Sequence, residues 1–346
     1  MHQSLVVLAS PATVGAGVYI YWQRMAPALT ELGWQVTILT PGSPGSSTPE
    51  LNLRPAAIRW IRTDLRKHLE QTQATHLITS IPQSDILVHY GLGRPTIPWF
   101  TFAHGQPFPV MGQANPVKSR LWREAWINSA RASDGILAVS RELATQVGAW
   151  TRIPVQVVGP CLKEATPQFG KTIEPPLHVA FVGRLSYEKD PLLFGAIAQA
   201  SRDLPATFHV YGDGPLGTEL RREFPFMTFH GHTQDMLSAY KKMHVLLMTS
   251  RSEGLGMVSL EASQSAVAPL VAGVGGAGET IHPDLHSRLI VPNKQRGNVI
   301  QWRERIQWLA EAENWSRVTA MQAQYVATTF DPSSAATRLS QALLNA

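Results

Sequence analysis

Residues 179–190 read Val-Ala-Phe-Val-Gly-Arg-Leu-Ser-Tyr-Glu-Lys-Asp, and Pro191 follows. Four apolar residues stop at a glycine, a short polar loop comes next, and a helical pattern then begins. This predicts a buried strand over Val179–Val182, a turn at Gly183 and a helix from Asp190 or Pro191, the unit of a parallel α/β sheet. The same alternation runs outward in both directions. Downstream, strands are expected at Thr207–Tyr211, Met227–His230, Val245–Met248, Leu270–Ala272 and Leu289–Val291, and Arg296–Leu344 reads as helical. Upstream, Ser4–Leu8 precedes a glycine loop, and Val18, Tyr21, Met25, Leu29 and Leu32 then recur at helical spacing up to Gly33. Further strands are expected at Val36–Leu39, His76–Ile81, Ile97–Ala103 and Gly135–Val139. Between the two series, Pro154–Pro176 is rich in Pro, Gly and Thr and reads as a linker.

The chain has 346 residues, enough for two domains at about 150 residues each. The expected architecture is therefore two Rossmann-like halves facing across a cleft. Hydrophobic residues make up 44% and charged residues 16%, which excludes a disordered chain. Cys161 is the single cysteine, which excludes a disulfide scaffold or a Cys-rich metal site and suits a reducing compartment. No apolar run reaches the ~18 residues of a spanning helix. The uncharged first 23 residues lack a basic n-region and break at Pro11, so a first strand is expected there and not a secretion signal. A cytosolic protein, or one peripheral on the cytosolic face of a membrane, is expected. The net charge of +5 lies wholly in residues 1–160, with 13 Lys/Arg against 8 Asp/Glu, so any anionic partner should be met there.

Four loops fall where ligands bind in such sheets, at strand carboxyl ends beside helix N-termini. Gly15-Ala16-Gly17 lets backbone approach a phosphate, although Ile20 breaks the full G-x-G-x-x-G. In Gly183–Lys189, Arg184 offers a planar fork and Lys189 a compact charge, a pair that can clamp a diphosphate. In Ser250–Ala262, Glu253 and Glu261 stand either side of seven residues that include Gly254, Leu255, Gly256, Met257 and Val258. Free loop N–H groups there can receive phosphate or sugar oxygens, and a carboxylate suits a vicinal diol. Alone, the two glutamates also fit a helix cap and a surface residue. His104-Gly105 ends a buried strand and fits either a cleft-facing or a structural histidine.

Taken together, Phe181–Lys189, Tyr211-Gly212-Asp213-Gly214-Pro215, Thr228-Phe229-His230-Gly231 and Ser250–Ala262 resemble the retaining GT-B glycosyltransferases of family 4. The likeness runs from Ser4 to about Val291, with Leu29–Val36 and His104-Gly105 carrying it in the first half. It implies a GT-B fold and a UDP- or GDP-linked sugar as donor. It implies that Arg184 and Lys189 hold the diphosphate, Glu261 the ribose, and Glu253 with the backbone of Gly254–Val258 the transferred sugar. Gly15 and Gly17 would lie near the phosphates, His104 near the anomeric carbon, and the base near Gly231 and His232. The implied domains are an acceptor domain over 1–160, a linker over 161–176, a donor domain over 177–330 and a helix over 331–346 crossing back. The chain departs from the family's usual pattern at Gly15-Ala16-Gly17-Val18-Tyr19 and at Gly159-Pro160-Cys161-Leu162.

Fixed cations aimed at the leaving diphosphate would carry the catalysis. No Asp-x-Asp is present to hold a divalent ion, so metal-independent, retaining transfer without a cofactor is expected. The expected acceptor is a glycan or a lipid-linked sugar, as in envelope polysaccharide or lipopolysaccharide synthesis. Arg59, Trp60, Arg62, Arg66 and Lys67, and later Trp122, Arg123 and Trp126, form basic stretches with tryptophan that fit either an anionic membrane surface or solvated faces over a core. No nucleic-acid motif occurs, so nucleic acid is not an expected partner. Three other readings stand beside this one: a GT-B sugar-nucleotide epimerase, an NAD-linked dehydrogenase, which should carry the full glycine fingerprint, and a non-catalytic sugar-nucleotide-binding subunit.

Overall fold

A computed structural model describes residues 2–12, 17–45, 48–52, 54–108, 115–162, 172–233 and 235–345. It divides into two compact units, Met1–Lys163 with Phe330–Ala346, and Glu164–Thr329.

The first unit is built on six parallel strands in the order β2-β1-β3-β4-β5-β6. These are β1 (Ser4–Leu8), β2 (Gln35–Leu39), β3 (His76–Thr79), β4 (Trp99–Ala103), β5 (Gly135–Ala138) and β6 (Val155–Val157). Leu5 pairs with Val36 on one side and His76 on the other. All five residues of β1 and of β4 are buried, as strands covered by helices on both faces must be. β4 begins two residues later than the apolar run that starts at Ile97, because Pro98 has no N–H to donate to a ladder. β6 falls inside the stretch read as a linker. It is three residues long, lies at the sheet edge and is half-exposed, so it leaves no apolar run to recognise.

The helix Pro332–Leu344 belongs to this unit. It packs on the helix Gly17–Glu31, and three polar contacts fix it. Trp34 Nε1 donates to Ser340 Oγ at 2.9 Å, His76 Nε2 meets the Leu343 carbonyl at 3.0 Å, and Arg338 Nε donates to the Val158 carbonyl at 2.7 Å.

The second unit carries β7 (Leu177–Val182), β8 (Ala206–Tyr211), β9 (Thr228–Gly231), β10 (Val245–Met248), β11 (Ala268–Gly273) and β12 (Ile290–Pro292), all parallel, in the order β12-β11-β10-β7-β8-β9. Strand order reverses between β7 and β10. That is the topological switch point, and ligands in open α/β sheets bind beyond the carboxyl ends of the strands there. In the first unit the reversal lies between β1 and β3.

The basic stretches need a correction. Residues 55–71 wind as a helix interrupted by a π-turn at Ile61–Leu65. Trp60 is only 7% exposed and packs with Ile61, Leu65 and Leu77 in the core. Trp126, on the helix Pro116–Ala132, is 1% exposed, and its indole N–H donates to Asp85 Oδ2 at 2.8 Å. Neither tryptophan offers a face to a membrane. Trp122 is half-buried and donates to the Pro107 carbonyl at 3.0 Å. Arg123 lies over the Phe108 and Trp150 rings, and Arg59, Arg62, Arg66 and Lys67 are exposed. Among the described residues, no helix is long and apolar enough to cross a membrane.

Candidate functional site

Two loops leave the carboxyl ends of β7 and β10 at the switch point. The first is Gly183–Asp190. Its path is set by close backbone packing: a side chain on Gly212 would meet the Gly183 carbonyl oxygen at 2.0 Å, and Gly212 itself sits at φ +129°. The Leu185 N–H donates to the Asp213 carbonyl at 3.0 Å. The motifs Gly183–Lys189 and Tyr211–Pro215 thus form one surface. Arg184 is exposed, and its guanidinium has no ion pair among the described residues.

The second loop is Thr249–Gly256. Gly256 adopts φ +93° and starts the helix Met257–Gln264, and a side chain there would collide with Met248. The structure brings Lys189 and Glu253 together. Lys189 Nζ donates to Glu253 Oε1 at 2.6 Å, and Ser250 Oγ donates to the same oxygen at 2.6 Å. Glu253 is therefore no helix cap. Its side chain is 8% exposed and that of Lys189 32%. Gly275 presses against the Glu253 carbonyl, where an added Cβ would stand at 1.9 Å. Glu261 lies in the second turn of the helix, half-buried, and accepts from the Tyr240 hydroxyl at 3.4 Å. Gly254 and Leu255 are buried, and Met257 and Val258 are half-buried.

Sequence reading missed the acid that ties these loops together. Asp190 is buried in the left-handed region, at φ 50°, and accepts from Arg251 Nη2 at 2.8 Å and Arg296 Nη1 at 2.6 Å. Arg296 also donates to the Thr249 carbonyl at 3.0 Å, and Thr249 Oγ1 to the Asp190 carbonyl at 3.0 Å. Asp190 directly follows Lys189 and Arg251 lies within the glutamate motif, so both were in view. Nothing in the sequence links them to Arg296.

At β9, the His232 N–H donates to Asp213 Oδ2 at 2.8 Å, and the Gly212 N–H to the Gly231 carbonyl at 2.7 Å. Beside this turn runs a row of histidines. His178 Nδ1 meets His209 Nε2 at 3.1 Å, and His209 Nδ1 meets His230 Nε2 at 3.2 Å. Thr207 Oγ1 bonds both His178 and His209, Tyr211 stacks on His230, and the His178 N–H donates to His244 Nδ1. Burial, then His178 and His230, pushes His209 down to about 4, and burial and Lys242 lower His230. Folding therefore favours the neutral rings. Their contribution to stability is complete above the ordinary histidine value of about 6.5 and is lost as pH falls below it. The urea midpoint of the protein is expected to fall between pH 7 and pH 5, and to fall less in His209→Gln. Equal slopes in the two proteins would show that the row does not titrate with folding.

The remaining expected residues lie in the first unit. His104 follows β4, with its ring stacked on Phe102 at 4.3 Å and edge-on to Tyr21 at 4.7 Å. Burial pushes it down to about 3, so it is neutral near pH 7. Gly17 is the first residue of its helix. Gly15 lies outside the described residues.

Residues 176–312 match the family model described as Glycosyl transferases group 1, and residues 15–162 match that of Glycosyltransferase Family 4. The chain belongs to the GT-B glycosyltransferases. This glycosyltransferase is 28% identical over 142 residues to a Campylobacter jejuni alpha-1,4-N-acetyl-D-galactosaminyltransferase named for a PP-undecaprenol-linked glycan, an alignment covering 39% of this chain and 40% of that one. The alignments span less than half the length of the curated relatives it matches. Among solved structures, sucrose-phosphate synthase from Thermosynechococcus elongatus superposes with TM-score 0.79 at 18% identity, covering 99% of each chain. Anabaena HepE in complex with UDP-glucose superposes with TM-score 0.76 at 13% identity over 100% of each chain. These likenesses show the fold, two Rossmann-like domains, and both matching family models are of glycosyl transferases. A dehydrogenase is thereby set aside.

Proposed function

We propose that this glycosyltransferase moves a hexose, with retention and without a metal ion, from a nucleoside diphosphate sugar to a glycan or lipid-linked acceptor in envelope glycan synthesis. The carrying observation is the 2.6 Å Lys189–Glu253 pair at the switch point of the second sheet, the Lys189 loop also carrying the exposed Arg184. The relatives add support: one is named for a lipid-linked glycan and another was crystallised with UDP-glucose. In this reading the second unit is the donor domain and the first the acceptor domain.

The leaving diphosphate gains charge as the glycosyl bond breaks. Arg184, Lys189 and the N-terminal N–H groups of the helix Met257–Gln264 would stabilise that charge. Glu253 would grip sugar hydroxyls and share Lys189 with the donor, so donor binding replaces one partner of the lysine with another. Glu261 would take the ribose hydroxyls. His104, being neutral, would orient the sugar and not abstract a proton. Arg59, Arg62, Arg66 and Lys67 would draw the protein to the cytosolic face of an anionic membrane by charge alone, and flotation with anionic vesicles should weaken as salt is raised.

The test is release of nucleotide from a panel of UDP- and GDP-sugars with and without EDTA, together with melting in UDP, GDP and NAD. At least one donor should be hydrolysed equally with EDTA, and its nucleotide should raise Tm while NAD does not. Hydrolysis abolished by EDTA would overturn metal independence. No response to any nucleotide sugar would overturn the reading itself.

A further inference from the structure

A trough of about 600 Å³ lies in the first unit at the amino ends of β3 and β4. His104 follows β4, at the opposite end of these strands, so the trough is separate from the site described above. Its floor is aliphatic. Leu69, Ala74, Leu92 and Ile97 are each half-buried and pack on the core around Trp60 and Trp99. The helix that ends at Gln71 is closed by Gln73 in the left-handed region, at φ 47°. The Gln73 N–H donates to the Glu70 carbonyl at 3.1 Å and the Ala74 N–H to the Leu69 carbonyl at 2.9 Å, which sets Leu69 and Ala74 side by side before the chain enters β3. Two π-turns frame the trough. Ile61–Leu65 ends just before Arg66, and Val88–Leu92 ends on Leu92. They pack on each other: Arg62 Nε donates to the Gly91 carbonyl at 2.8 Å, and an added Cβ on Gly91 would stand 3.3 Å from Ile61 Cγ2. Such turns are rare and occur mostly at functional sites.

The rim is polar. Arg66 is exposed and has no ion pair among the described residues, whereas Arg94 is engaged by Asp134 at 2.7 Å. Arg66 is thus the cation left for a ligand. The described lining holds no aromatic ring, so nothing there stacks on a nucleobase, and an aliphatic floor beside a guanidinium matches an alkyl chain beside a phosphate. Tyr90, in the second π-turn, is exposed, as is Arg62 beside that turn. Tyrosine among cations suits the headgroup level of a bilayer, a place that the buried Trp60 cannot take. We propose that the trough holds one membrane phospholipid, its phosphodiester on Arg66 and the first part of an acyl chain on Leu69, Ala74, Leu92 and Ile97. This rests on the reading that the basic face is drawn to a membrane, and gives that face a specific ligand: charge brings the protein to the surface, and the trough then holds a lipid. Glu70 follows Arg66 by one turn on the same rim and opposes a second negative charge, so a singly charged phosphodiester is preferred to a phosphomonoester.

The experiment is ligand-observed NMR with dihexanoyl phosphatidylglycerol kept below its micelle concentration. The lipid should bind, and glycerophosphoglycerol, the same head without chains, should bind at least about tenfold more weakly, the factor expected from burying about two methylene groups. Inorganic phosphate should not bind measurably. Dihexanoyl phosphatidic acid should bind more weakly than the diester, and Glu70→Gln should close that gap. Arg66→Gln should weaken the diester about fivefold or more. Thr96→Trp, at an exposed position of the wall, should block binding while Tm stays within a few degrees. No binding of the monomeric lipid, equal binding of the chainless head or of phosphate, or lipid binding unchanged in both Arg66→Gln and Thr96→Trp would overturn the proposal. Flotation of the wild-type protein on anionic vesicles at low salt reports separately on the charge reading. Flotation without binding of the monomeric lipid would overturn the trough and leave that reading standing.

Discussion

Lys189→Ala is expected to lower donor hydrolysis by about 10²–10³-fold, the usual loss when one preorganised group facing developing charge is removed. The substitution does two things. It takes a cation from the leaving diphosphate, and it leaves Glu253, 8% exposed, with Ser250 as its remaining described partner. The second effect makes the double variant informative. If Lys189 and Glu253 act as one unit on the donor, Lys189→Ala with Glu253→Gln should be far less damaging than the product of the single losses. Arg184→Ala should also cost a large factor in turnover but little in Tm, because its guanidinium has no ion pair among the described residues to lose. Wild-type turnover in either single variant would remove that residue from the site.

The second large effect is on the fold of the site. Asp190→Ala removes the shared partner of Arg251 and Arg296 and leaves two cations facing each other, one of them largely buried. Breaking a buried pair in this way costs about 3–5 kcal/mol. Alanine also tolerates the left-handed backbone less well than aspartate does. Urea unfolding should report the loss, and donor hydrolysis should fall with it, since the Lys189 and Thr249 carbonyls both belong to this network. Asp190→Asn keeps the shape and the backbone tolerance, so it should recover part of the stability and not all of it. An Asp190→Ala protein as stable as wild type would mean that the two arginines find other partners.

The contrast between Asp190 and Lys189 shows which parts of this protein were visible in its sequence. Strands such as Ser4–Leu8 and Val245–Met248 are apolar almost throughout, because parallel sheets bury both faces, and so they could be recognised. The motif loops were equally visible, since glycine and charge fall at fixed places after those strands. Contacts closed by the fold were not. Arg296 reaches Asp190 across 106 residues, and no local pattern announces it. Asp85 sits in an ordinary helical stretch, and only the meeting of Thr79 and Trp126 on its carboxylate makes it notable. Trp60 and Trp126 were misleading for a related reason: basic residues beside a tryptophan look alike whether the indole faces solvent or core, and here both indoles face the core.

The placement of Pro332–Leu344 bears on the order of assembly. The chain builds most of the first unit, then all of the second, and only afterwards makes the helix that packs on Gly17–Glu31. During synthesis the second unit can reach its native form while the first still lacks a wall. The early strands must therefore wait, partly uncovered, for a segment made about 170 residues after β6, and a ribosome pausing within that interval would prolong their exposure to chaperones.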